Sequence, residues 1–403
     1  MTSTCFNRLG RVLVTAMLAG AAFEFLPGAL AFSYTTPPHS NQDGWDFTNG
    51  TPRAIPRRAS IIFMQVDGLG YGDLSCYGQT NFQTPILDKL AAEGIQFTNY
   101  SIADTSSLSQ AALMLGENSR QQHQRSHLDM LVTPDEITVA QILKNSGYHT
   151  GLIGAWDLGD ENSGDAPWRK GFDEFAGYLN PVDAENFYAN YIYRYAPGEI
   201  LNPTNNQRED FTGKEEMYAN TLEKKTQYIP DVLTKAALNF VQNNQPDQFN
   251  HFRPFFLLLD YKIPGGKIEV PTDAPYSEEP WPQPEKNKAA LISRIDGYIG
   301  QLQEQLQKIG MTNNVLIFFS SGSIPKKTAE IDPDFFHSNI STNDFRVPMI
   351  VHWTGTIPAA QVSDYKWSPQ DFMPTAAQIA FAQSPTNIDG NSVVPELLGL
   401  TKK

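Results

Sequence analysis

The chain has 403 residues, 40% of them hydrophobic, enough to bury one large core or two modest ones. Its 29 glycines and 28 prolines are ordinary for a loop-rich α/β protein and argue against wholesale disorder. A formal charge of −14 argues against nucleic acid or an anionic membrane surface as the main partner, because neither attracts a net acid.

Residues 1–31 read as an export signal. Arg8 and Arg11 flank an apolar run from Val12 to Phe23, and Ala29 and Ala31 supply the small residues of a cleavage site before Phe32. Glu24 interrupts the apolar stretch and disfavours a spanning helix of ~20 apolar residues. The expected location is therefore outside the cytoplasm, periplasmic or secreted; an uncleaved N-terminal anchor is the alternative. Cleavage would also remove Cys5 and leave Cys76 as a single thiol, so stability must come from packing. Cys76 itself is expected to be buried and inert.

Residues 32–58, with Pro37, Pro38, Pro52 and Pro56, read as an extended leader. Ser60 to Val66 is a β-rich run entering the turn Asp67-Gly68-Leu69-Gly70. Helical spacing follows over Pro85 to Gly94, with Ile86, Leu87 and Leu90 on one side, and again over Ile137 to Ser146; His149 to Ile153 is the next strand. Residues 180–230, rich in tyrosine, break this rhythm and read as a surface excursion over the sheet. Its tyrosines either pack on their own scaffold or form a recognition patch. Asp231 to Gln242 and Ala289 to Ile309 are predicted helices, and Pro254 to Tyr261, Asn314 to Phe319 and Pro348 to Trp353 are predicted strands. Ser368 to Phe381 is a last helix. Such alternation predicts one α/β domain over 59–400: a large, mostly parallel sheet with helices on both faces. Ligands in such sheets collect at the carboxyl ends of strands, just after Val66, Ile153, Tyr261 and Phe319.

A series of stretches, in order, resembles the sulfatase family of the alkaline-phosphatase superfamily. IIFMQVDGLGYGDLSCYGQ is similar to its first strand and metal turn, and TPILDKLAAEGIQFTNYSIA to the helix and strand that follow. SSLSQAALMLG stands at the nucleophile signature and GYHTGLIGAWDLG at the second signature. GFDEF, PFFLLLDYKIP, NNVLIFFSSGS, FRVPMIVHW and DGNSVVPELLG complete the match from about Ile61 to Gly399. The family's smaller C-terminal antiparallel domain is expected to be absent.

The resemblance implies a formylglycine nucleophile made from Cys or Ser in a Cys/Ser-x-Pro-x-Arg signature. It also implies calcium held by two Asp after the first strand and an Asp-Asn pair after a late one. Lys, His and Arg would grip the sulfate and protonate the leaving group. Against that pattern, Asp67 remains but its neighbour is Gly68. Ser106 stands at the nucleophile position, with Leu108 for the Pro and Gln110 for the Arg. Lys-Trp-His becomes Ala155-Trp156-Asp157, a His becomes Gly265, the Asp-Asn pair becomes Ser321-Gly322, and His337 aligns with a Lys. Scaffold positions such as Gly70, Gly72, Gly116, Trp156, Gly159 and Pro348 persist.

One carboxylate at Asp67 is too few for a hard cation, so no cofactor is expected, with calcium only if the site is active. Asp67 and Asp73 read more simply as turn caps, and Thr105, Ser106, Ser107 and Ser109 as the hydroxyl-rich opening of a helix. The expectation is an exported, catalytically inactive sulfatase-like protein. It would act as a binding or scaffold subunit with a protein partner, in an extracytoplasmic or membrane-associated assembly. The alternatives are an altered but active hydrolase of sulfuric or phosphoric esters using Ser106, and a ligand-binding module using the former sulfate pocket.

Overall fold

The computed structural model describes residues 58–103, 105–118, 131–204, 207–222, 224–247, 253–325, 335–336 and 345–401. The predicted export signal 1–31, the leader up to residue 57 and His337 lie outside the described residues.

Largely apolar runs bounded by turns make the centre of the molecule. Strand β1 (Ser60–Asp67) is buried along its whole length, so it needs a neighbour on each side and a layer on each face. It pairs in parallel with β7 (Phe255–Lys262) and with β8 (Val315–Ser320). Beyond β7 lie β3 (His149–Ala155) and β4 (Glu174–Tyr178), also parallel. Beyond β8 comes β9 (Met349–His352), antiparallel, then β2 (Ile95–Phe97) and β10 (Gln361–Ser363). At the other edge, β5 (Tyr191–Leu201) and β6 (Arg208–Glu216) add an antiparallel hairpin. The sheet has ten strands in the order β10-β2-β9-β8-β1-β7-β3-β4-β5-β6.

The hairpin corrects the expectation for residues 180–230, which extend the sheet sideways rather than running over it. Tyr191, Tyr193 and Tyr195 recur at period two, as a half-exposed strand requires. Tyr195 stacks on Trp168, and Lys214 of β6 sits 4.0 Å from the centre of the Tyr191 ring. The tyrosines thus pack on their own scaffold.

Helices cover both faces. On one side α2 (Ser106–Leu115), α3 (Val139–Asn145), α6 (Phe372–Ile379) and α7 (Val394–Leu397) bury their apolar faces against Phe63, Leu152, Phe256, Leu258 and Phe318. On the other, α1 (Pro85–Ala92), α4 (Ile229–Asn243) and α5 (Gln283–Lys308) pack together. There Phe240 of α4 lies so close to Gly151 of β3 that a Cβ would meet its ring at 2.5 Å. The turn after β1 is pinned to α5 by a buried ion pair, Lys288 Nζ to Asp73 Oδ2 at 3.0 Å, with the Phe336 ring 3.8 Å from the ammonium. Asp73 Oδ2 also accepts from the Gly70 N–H at 2.7 Å, the structural role expected of that residue. Cys76 is half-buried rather than buried; burial, first, and the neighbouring Asp88 carboxylate push its thiol up, which disfavours the nucleophilic thiolate.

Candidate functional site

Parallel strands release their carboxyl ends on one edge, and register decides which side chains meet there. Gln65 of β1 stands opposite Asp260 of β7 and Ser320 of β8, and Gly154 of β3 stands opposite Asp260 on its other side. Asp67 ends β1 and is paired with Lys262. Ala155 ends β3, and Trp156 and Asp157 follow it. Trp156 is fully buried and donates from its indole nitrogen to the Asp165 carbonyl at 2.9 Å, fixing the loop that carries Asp157.

Helix α2 begins at the same edge. Thr105 is its N-cap, accepting from the Leu108 N–H at 3.3 Å, and Ser109 accepts from the Ala103 N–H at 3.1 Å. Ser106, the first helical residue, donates instead to Asp157 Oδ2 at 2.6 Å. A carboxylate at a helix N-terminus is stabilised by the exposed N–H groups and the helix dipole. Asp157 therefore already supplies the negative charge that this helix start attracts.

Gln110, one turn further along α2, is wholly committed to the protein. Its amide nitrogen donates to the Ala155 carbonyl at 3.0 Å and to Asp260 Oδ2 at 3.1 Å, and its oxygen accepts from the Asp157 N–H at 2.9 Å. Gln65 donates to the same Asp260 oxygen at 2.5 Å. Asp260 is 2% exposed, and its other oxygen, like Asp157 Oδ1, has no hydrogen-bond partner. Burial, first, and then the charges of Asp67 and Asp157 hold the Asp260 carboxyl well above the ordinary carboxylate range, against the opposing pull of the Gln65 bond and Lys262.

Ser106, Gln110, Ala155 and Asp157 are thus drawn into one network, and Asp67 joins it through its electrostatic coupling to Asp260. Gln65 and Asp260 are members that the sequence reading did not single out. Their signal was a polar residue interrupting an apolar run that must be buried on both faces. His149 and His352, the histidines among the described residues, lie at the opposite edge. His149 is held there by Glu174 at 3.2 Å and Asn244 at 2.8 Å, so neither imidazole can serve Ser106 as a base.

The donor set does not fit the calcium that the resemblance implies. A Cβ on Gly322 would fall 2.2 Å from Asp67 Oδ1 and 2.7 Å from the Gln65 amide nitrogen, so with these two side chains as placed the space that a ligand side chain would need is occupied. The Ser321 hydroxyl is shared between the carbonyls of Val66 and Ser323, at 2.8 and 2.7 Å. Gly68 has φ +80°, and a Cβ there would meet the Ile263 carbonyl at 2.8 Å. Among the described residues no group of three or more His, Cys, Asp or Glu is arranged to hold a metal ion. Adding millimolar calcium to the purified protein is expected to leave its melting temperature unchanged; a rise growing with calcium concentration would contradict this reading.

The cavity beside Ala155 and Asp260, also lined by Tyr178, Phe187, Tyr261 and Lys262, measures about 10 Å³, room for about one water. Among the described residues no helix is long and apolar enough to cross a membrane.

Comparison with known proteins agrees with this architecture. The sulfatase family model matches residues 59–381. An N-acetylgalactosamine-6-sulfatase of Canis lupus familiaris is 29% identical over 371 residues, covering 85% of this chain and 67% of that protein. A steryl-sulfatase of Rattus norvegicus is 27% identical, covering 84% and 70%. The chain therefore spans about two thirds of the length of these relatives. Among solved structures, Ps i-CgsB in complex with k-i-k-neocarrahexaose superposes with a TM-score of 0.65 at 27% identity, covering 86% of this chain and 77% of that one.

Proposed function

The chain belongs to the sulfatase family, and from that premise we propose that it keeps the family's scaffold without hydrolysing sulfate esters, acting instead as an exported binding or scaffold subunit. One observation carries the reading. The hydroxyl at the nucleophile position is hydrogen-bonded to a carboxylate where the family has an imidazole, and the residue at the arginine position is a neutral amide with its hydrogen bonds already made.

The chemistry follows from charge. Cleaving a sulfate ester builds negative charge on the transferring group and on the leaving oxygen, which cations and acids must stabilise. Here the Asp67 and Asp157 carboxylates act on Asp260 at that edge of the sheet, and a sulfate entering there would meet their like charge in a site of low dielectric. Removing one transition-state donor costs about 10²–10³ in rate, and here several positions are changed together. The cavity beside Ala155 is also too small for a sugar, which weighs against a ligand module built on the former sulfate pocket.

The Ser106–Asp157 pair favours one competing reading, an ester hydrolase with a carboxylate-assisted serine. A carboxylate is a weak base toward a hydroxyl, and the family's cationic grip is missing from Gln110 and Ala155. With 4-nitrophenyl sulfate and 4-nitrophenyl phosphate, with and without calcium, the purified chain is expected to show no turnover above buffer. Turnover that disappears in Ser106→Ala would establish the hydrolase instead. The scaffold role predicts a stable protein partner captured by crosslinking on the extracytoplasmic side, and intact mass would report cleavage before Phe32.

A further inference from the structure

We propose a second, separate binding site, for an anionic sugar, in the cleft between the C-terminal end of α3 and the turn at residues 167–171. Both elements lead into the amino ends of β3 and β4, so this cleft opens at the sheet edge opposite the Ser106–Asp157 network. The cleft has a volume of about 260 Å³ and is lined by Gln141, Lys144, Asn145, Trp168 and Arg169 among others. That places it at the small end of ligand pockets, the size of a single sugar unit rather than a long chain.

Its chemistry departs from the acidic character of the chain. No carboxylate is among its lining residues, whereas two cations are. Lys144 is held at 2.8 Å by Asp173, which fixes and partly neutralises it. Arg169 is exposed and donates to the carbonyls of Ser163 and Asn162, at 3.0 and 3.4 Å, neutral acceptors that orient the guanidinium without cancelling its charge. A guanidinium so placed suits the planar or tetrahedral oxygens of a carboxylate or sulfate ester. Trp168 is half-buried and stacked on Tyr195 with ring centroids 5.6 Å apart, a rigid aromatic surface on which the apolar face of a pyranose can lie. Gln141 spends its oxygen on the Thr138 N–H at 2.9 Å, so its amide nitrogen is the group left to donate to a sugar hydroxyl, and Asn145 also lines the cleft.

The walls are fixed before any ligand arrives. Lys170 is buried and donates to the carbonyls of Thr133, Pro134 and Glu136, and the Thr138 hydroxyl donates to the Lys170 carbonyl at 2.6 Å. Gly171 packs so tightly on α3 that a Cβ there would lie 2.5 Å from the Gln141 nitrogen. A cleft between elements locked in this way pays little ordering entropy on binding.

The test is titration of the full chain with glucose 6-sulfate, glucose and inorganic sulfate, read by tryptophan fluorescence and calorimetry. Saturable binding of glucose 6-sulfate is expected, with glucose and inorganic sulfate each at least about tenfold weaker. Arg169→Glu, at an exposed position, should weaken binding at least about tenfold with the unfolding midpoint unchanged, and Trp168→Ala should do the same where it folds. Asp157→Asn, at the opposite edge, should leave binding as it is. Absence of saturable binding, equal affinity for inorganic sulfate, or loss in Asp157→Asn rather than Arg169→Glu would overturn the assignment. None of these outcomes depends on whether the chain hydrolyses esters.

Discussion

Replacing Lys288 by Met is expected to destabilise the protein by about 3–5 kcal/mol, the cost of leaving one member of a buried ion pair without the other. Asp73 is fully buried, and Lys288 is 4% exposed, so no water can take over. The substitution also removes the ammonium from the Phe336 ring. Burial already raises the Asp73 carboxyl, and the Lys288 charge is the strongest influence holding it down. Without that charge Asp73 takes up a proton more readily, so the loss should be largest at neutral pH and shrink toward acid. Adding Asp73→Asn to Lys288→Met should recover part of the stability by neutralising the stranded carboxylate. Urea unfolding of both variants between pH 4.5 and 8 measures this; a loss under 1 kcal/mol at pH 7.5 would mean the pair behaves like a surface contact.

The second large effect runs the other way. Asp260→Asn should raise stability at neutral pH, by about 1.4 kcal/mol for each pH unit above the unfolded carboxyl's value until the folded value is reached. The sign follows from linkage. Asp260 titrates higher in the folded chain than in the unfolded one, so folding is favoured while the unfolded carboxyl is still protonated. That stability is lost as pH rises toward the folded value. Asparagine keeps an oxygen to accept from Gln65 and Gln110 and has no proton to lose. The gain should therefore vanish near pH 4 and grow with pH, as melting curves of both proteins across that range would show. A variant that is less stable at pH 7.5 would mean that the Asp260 charge is needed to hold the two amides.

The architecture was legible because the central strands are near-continuous apolar runs separated by amphipathic helices, the pattern of a parallel sheet covered on both faces. The positions of Ser106, Gln110, Ala155 and Asp157 were legible because each lies in a short stretch whose order the family fixes. Their mutual hydrogen bonds were not, since these depend on register between strands distant in sequence. Asp260 and Gln65 show this best. Each reads as a lone polar residue in an apolar strand, and only the β1–β7 pairing makes them partners. The 191–216 hairpin escaped for another reason. Alternate tyrosines signalled a strand, but the charges on its exposed side resemble those of a loop, and edge strands carry such charges to discourage further pairing.

The close approach of Gly322 to Asp67 and Gln65 constrains what residue 322 can become. A side chain introduced at residue 322 would meet first the Asp67 carboxylate and then the Gln65 carboxamide, both of which would have to swing aside, and one introduced at residue 68 would press on the Ile263 carbonyl. The second is the costlier of the two, because main chain cannot swing aside as the end of a side chain can and Gly68 holds φ +80°. On the reading proposed above, rebuilding a family-like ligand pair would need coordinated changes at both positions.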